Sequence, residues 1–180
     1  DMHAHEVVAV DEGGRRETVA HVPGSPSGLG WLPDGRMLVV SMEDRRLLRM
    51  QDGRLVEHAD LSKLAPFHCN DMVVDGNGNA FVGNFGFDLH RAEPTRDTCL
   101  IHVAPDGSAR IAAEDMCFPN GVVVTPDGDT LIVAESFGQR LTAFDLAADG
   151  ALTNRRVWAA LDFYPDGIAL DADGCVWCAF

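Results

Sequence analysis

Apolar residues along this chain come in short runs parted by Gly, Pro, Asp and Asn, and almost nowhere recur at a helical spacing. Four stretches share one pattern: "SGLGWLPDG" from Ser27, "NDMVVDGNG" from Asn70, "NGVVVTPDG" from Asn120 and "DGIALDADG" from Asp166. Each closes on a Gly eight residues after its first residue, and the starts lie 43, 50 and 46 residues apart. After each turn comes a second apolar segment: "RMLVVSM", "AFVGNFG", "TLIVAES" and "CVWCAF". A third ("RRLLRMQ", "TCLIHVAP", "RLTAFDLA") and a fourth ("RLVEHADL", "ARIAAEDM", "NRRVWAAL") follow in the three complete units, joined by Asp-Gly turns.

Four antiparallel strands recurring every forty-odd residues predict an all-β fold, a β-propeller of four-stranded blades. "HEVVAVD" and "RRETVAHV" fit as the third and fourth strands of a preceding blade. The division is then a half blade over 1–26, full blades over 27–69, 70–119 and 120–165, and a half blade over 166–180. That is sixteen strands, or about four blades, and hence an incomplete ring. Unpaired blade edges would favour self-association.

The pattern also separates four copies of one tripeptide. Pro-Asp-Gly is a turn signature, because Pro presets φ and Gly accepts positive φ. Pro33-Asp34-Gly35 and Pro126-Asp127-Gly128 join first and second strands, and Pro105-Asp106-Gly107 joins third and fourth. All three turn on one face, the bottom. Asp166 of Pro165-Asp166-Gly167 instead opens an innermost strand, on the top face beside the axis, in register with Ser27, Asn70 and Asn120. Taken singly, Asn or Asp before Gly caps a turn. Taken together, two amides and a carboxylate in one register point to a hard-oxygen site for Ca²⁺, with Mg²⁺ or Mn²⁺ as less suited occupants.

Charge narrows the partners. A formal net charge of −14 repels nucleic acid and anionic membrane surfaces. No apolar run approaches a membrane span, and no signal segment opens the chain. The five cysteines, Cys69, Cys99, Cys117, Cys175 and Cys178, have no framework spacing, which fits a reducing, cytoplasmic setting. Cys175 and Cys178 read as core thiols on opposite faces of a strand. Trp31, Trp158 and Trp177 are expected to pack between blades, and His3 and His5 to share one strand face without a third ligand.

The segments "CNDMVVDGNGNAFVGNFG", "FPNGVVVTPDGDTLIVAES" and "YPDGIALDADG" resemble the six-bladed gluconolactonase and regucalcin family, with the diisopropyl-fluorophosphatase branch as a cousin. The resemblance implies an enzyme that opens a small-molecule lactone with an axial divalent cation, most simply Ca²⁺, with Mn²⁺, Mg²⁺ or Zn²⁺ as alternatives. It implies Asn120 and Asp166 as metal ligands, Asp166 as a candidate base, and Asn70 as a substrate-side or further metal-side residue. His68 stands where regucalcin-like members carry a substrate-contacting Arg. The family's metal-binding Glu, in an E-G-P motif, would lie upstream of Asp1, and Glu12 sits in a bottom-face turn and cannot replace it. About two blades would follow Phe180, so impaired activity is expected of these residues alone. The rival readings are a non-catalytic binding propeller and an organophosphate hydrolase of the same architecture. The loop 84–98 is expected on the top face, where Arg91 and Arg96 could meet an anionic substrate.

Overall fold

A computed structural model describes residues 1–180, and it contains strands and turns without a helix. Sixteen strands form five antiparallel sheets, two of two strands flanking three of four. The first sheet holds β1 (Glu6–Val10) and β2 (Arg16–His21). The first four-stranded blade is β3 (Pro26–Trp31), β4 (Met37–Ser41), β5 (Arg46–Gln51) and β6 (Arg54–Asp60). The second is β7 (Cys69–Val74), β8 (Ala80–Asn84), β9 (Thr98–Val103) and β10 (Ala109–Met116). The third is β11 (Pro119–Val124), β12 (Thr130–Glu135), β13 (Arg140–Leu146) and β14 (Leu152–Ala160). β15 (Ile168–Leu170) and β16 (Val176–Cys178) close the chain. Strand order within each blade follows chain order, as an up-and-down propeller blade requires.

Burial explains why the second strands are the most continuously apolar. β4 and β8 are buried at every position and β12 at all but its first, because each has a strand on both sides and a neighbouring blade on each face. The two largest apolar cores fill the spaces between the complete blades. Leu38, Val40, Leu47, Ile101 and Val103 belong to the first, and Phe81, Leu100, Leu131, Val133 and Phe144 to the second. The fourth strands lie outermost and alternate polar and apolar.

The tryptophans depart from expectation. Trp31 is 59% exposed, Trp158 47% and Trp177 67%. Trp158 lies on outermost β14 and Trp31 at the bottom tip of β3, so branched aliphatic side chains fill the inter-blade spaces instead. The C-terminal thiols are not core either: Cys175 is exposed and precedes β16, while Cys178 is half-buried. His3 and His5 belong to a turn before β1, where His5 adopts φ 57°.

Candidate metal centre on the axis

The innermost strands β3, β7, β11 and β15 stand side by side around the axis. Small residues allow this. A Cβ on Gly28 would come within 2.5 Å of the Met72 nitrogen, and one on Gly121 within 2.5 Å of the Ile168 nitrogen. Backbone and hydroxyl bonds tie the strands directly. Ser27 Oγ donates to the Asn70 carbonyl at 2.7 Å, and the Gly121 N–H donates to the Asp166 carbonyl at 3.1 Å.

Each complete inner strand breaks register where the axial residues sit. Between Pro26 and Leu29, Cys69 and Met72, and Pro119 and Val122, two residues face one on the partner strand. These are β-bulges, and bulges re-aim side chains next to functional sites. Ser27, Asn70 and Asn120 therefore occupy the same bulge in successive blades. Asp166 enters its sheet differently, its N–H donating to the Ala179 carbonyl at 2.8 Å.

The structure thus sets Asn70, Asn120 and Asp166 at the top ends of adjacent inner strands. Asn120 Nδ2 donates to Ser136 Oγ at 3.2 Å, and Ser136 Oγ donates to the Pro165 carbonyl at 2.6 Å. This relay fixes the Asn120 amide and ties it to the peptide ahead of Asp166. No protein donor reaches Asn120 Oδ1 or the Asp166 carboxylate. Asn70 Nδ2 is buried without a partner.

Two site residues escaped the sequence pattern. Ser136 follows β12, and nothing in its local sequence says that it folds back over the next blade's entry. Asp71 did leave a signal, since the residue after each axial position is Gly28, Asp71, Gly121 and Gly167. Burial pushes the Asp71 carboxyl up; the Met72 N–H opposes this and the charge of Asp166 adds to it. Two carboxylates therefore share the axial region.

His68 lies on the rim, stacked on Phe67 at 4.1 Å and 6.4 Å from His90 of the loop 84–98. Burial lowers its pKa, and its Nδ1 is buried without a partner. Cys69 is no nucleophile: burial pushes its thiol up to about 12.

The donor chemistry fits a hard divalent cation. It consists of amide and carboxylate oxygens, and no group of three or more His, Cys, Asp or Glu side chains forms anywhere in the chain. Amides with carboxylates suit Ca²⁺ better than Zn²⁺. Two concavities of about 500 Å³ each lie elsewhere. One, on the bottom face, is lined by Asp75, Asp127 and Asp129, but the carboxylates of Asp75 and Asp127 are committed to their own turns.

Residues 1–180, the whole chain, match the family described as SMP-30/gluconolactonase/LRE-like region. The chain belongs to this family. Among curated relatives, the diisopropyl-fluorophosphatase of Loligo vulgaris is 25% identical, over 94% of this chain and 61% of its own. A gluconolactonase from Xanthomonas campestris has the same fold with a TM-score of 0.80 and 26% identity, covering 99% of this chain and 63% of its own. A calcium-binding regucalcin from Agrobacterium tumefaciens gives a TM-score of 0.80 and 26% identity, over 98% and 60%. The chain thus spans less than two thirds of the length of these SMP-30/gluconolactonase-like relatives, and its fold is the corresponding part of their propeller.

Proposed function

We propose that the top face of this chain belongs to a Ca²⁺-dependent hydrolase that opens a lactone or similar ester. The observation that carries the reading is the axial register: Asn70 and Asn120 on equivalent bulges, beside an Asp166 carboxylate that no protein donor engages. A bound divalent cation would supply Lewis acidity at the ester carbonyl. Asn120, with its amide set by Ser136, and Asp166 would hold it, with Asn70 alongside.

The chain's own groups supply the remaining steps. The Asp166 carboxylate accepts a proton from the water that adds to the carbonyl carbon. The ring C–O bond then breaks, and the proton passes to the leaving oxygen, giving the hydroxy acid. His68 on the rim orients the substrate. The likeness to the squid diisopropyl-fluorophosphatase favours a second reading, with an organophosphate in place of the lactone.

The test is lactone opening followed in a pH-stat, together with calorimetric titration of Ca²⁺, in the protein that carries this chain. Asp166→Ala is expected to lower calcium-dependent turnover at least about a hundredfold and to weaken Ca²⁺ binding. Near-normal turnover by that variant would sink the proposal.

A further inference from the structure

A second tier stands above the axial residues. Two positions before Ser27, Asn70, Asn120 and Asp166 are Ser25, His68, Phe118 and Tyr164. The last three are rings, and ring contacts link them around the top face. His68 lies 5.9 Å from Phe85, which stacks on Phe118 at 4.6 Å. Phe118 meets Phe137 edge-on at 5.1 Å, and Phe137 meets Tyr164 at 5.8 Å. These are the separations and tilts of interacting aromatic pairs.

The inner rings are buried, but Phe137 is 37% exposed and Tyr164 60%. Both adjoin the site through the chain itself. Phe137 follows Ser136, whose hydroxyl links Asn120 to Pro165, and Tyr164 precedes Pro165 and Asp166. Phe118 holds φ 59°, a conformation that bulky residues rarely adopt and that persists where the surroundings enforce it.

Positive charges that would suit an anionic substrate are engaged elsewhere. Arg91 pairs with Asp88 at 3.5 Å and Arg96 with Glu93 at 2.7 Å, both within their own loop. Arg45 donates to the carbonyls of Ser62 and Ala65. A polyhydroxylated lactone laid on Phe137 and Tyr164 would give up water for ring faces, and unreplaced hydrogen bonds are costly.

Building on the hydrolase reading above, we infer that Phe137 and Tyr164, backed by the buried Phe118 ring, form a specificity surface for an apolar ring or alkyl group. The preferred substrate is then an aromatic or alkyl-bearing lactone or ester, in preference to a sugar lactone. Three probes separate the two readings: dihydrocoumarin, glucono-δ-lactone, and chroman, the unreactive ether analogue of dihydrocoumarin.

The expected kcat/KM for dihydrocoumarin exceeds that for gluconolactone at least about tenfold. Phe137→Ser and Tyr164→Ser, both at exposed positions, each lower it roughly five- to twentyfold through KM, and lower the ratio of dihydrocoumarin to gluconolactone turnover. Chroman binding, read by ligand-observed NMR, weakens in the same variants. Gluconolactone turnover without chroman binding, or a substrate ratio unmoved by both substitutions, overturns the inference and leaves the hydrolase reading intact. Chroman binding that depends on Phe137 and Tyr164, without turnover of any lactone, supports the apolar surface and removes the hydrolase. Absence of both turnover and chroman binding overturns the two together.

Discussion

On the bottom face, Asp34, Asp106, Asp127 and Asp171 each accept hydrogen bonds from their own turns, led by Arg36, Ser108, Thr125 and Trp177 respectively. All four carboxyls are held below their usual range by those bonds. On the top face Asp166 has no such partner, and burial pushes neighbouring Asp71 the other way. The same residue type, and in part the same tripeptide, thus closes turns at one end of the ring and leaves charge available at the other. A carboxylate whose lone pairs are filled by backbone N–H groups stabilises a turn; one left unengaged beside an amide and a second carboxylate keeps its lone pairs open.

The comparison is broken most directly by a matched pair. Beside the hundredfold loss expected for Asp166→Ala, Asp127→Ala should keep turnover within about twofold and the thermal midpoint within about 2 °C. Equal losses in the two variants would erase the distinction between the faces.

A larger effect on stability than on chemistry is expected at Glu135, at the top of β12. This carboxylate is fully buried and accepts from Arg140 Nε and Nη2, the Thr142 hydroxyl, the Cys117 N–H and, at 3.4 Å, Arg155 Nη2. Burial alone would raise its pKa, but these bonds outweigh it and hold the carboxyl below its ordinary value. Glu135→Ala should cost about 3–5 kcal/mol in denaturant unfolding, because Arg140 is left beside a buried gap.

Ser136→Ala sharpens the comparison from the other side. Removing one hydroxyl frees the Asn120 amide and the Pro165 carbonyl, so turnover should fall about tenfold with the midpoint lowered only a few degrees. A midpoint drop with unchanged kcat and calcium affinity would reduce Ser136 to scaffolding.

The smallest expected effect belongs to the bottom face and to pH. Asn79 Nδ2 is committed to Asp75 and to the Ala148 carbonyl, so its Oδ1 accepts from His102 Nε2 at 2.9 Å. His102 Nδ1 is then a buried, unpartnered acceptor. Burial, with Arg110 assisting, lowers the imidazole pKa, so the unfolded chain takes up a proton that the native state refuses. Stability should therefore fall as pH drops from about 6.5 toward the folded value. Melting curves from pH 8 to 5 should show this slope, and His102→Gln should flatten it.

The strand order was legible because its signals are local. Asp-Gly turns and short apolar runs mark hairpins without reference to distant residues, and Asn70, Asn120 and Asp166 emerged once the repeats were aligned. Ser136 and Asp71 matter through contacts across blades, which no single repeat displays. Asp71 was nonetheless written into the alignment as a carboxylate in a column of glycines. The tryptophans misled for a related reason: apolar size predicts burial on average, whereas Trp31 and Trp158 sit at a strand tip and on an outermost strand.

The bulge repeated in β3, β7 and β11 has a consequence for how such a site can change. Each axial residue sits in a one-residue excess that the ladder absorbs within two partner positions, so hydrogen bonding resumes in register below it. Side-chain identity at the bulge is thereby uncoupled from the ladder of the sheet that carries it. Exchanging Asp71 for Gly would alter the charge count at the axis while leaving the ladder as it is. The blades work as a socket with interchangeable pins, and the chemistry of their top face can drift, or be retuned, one pin at a time.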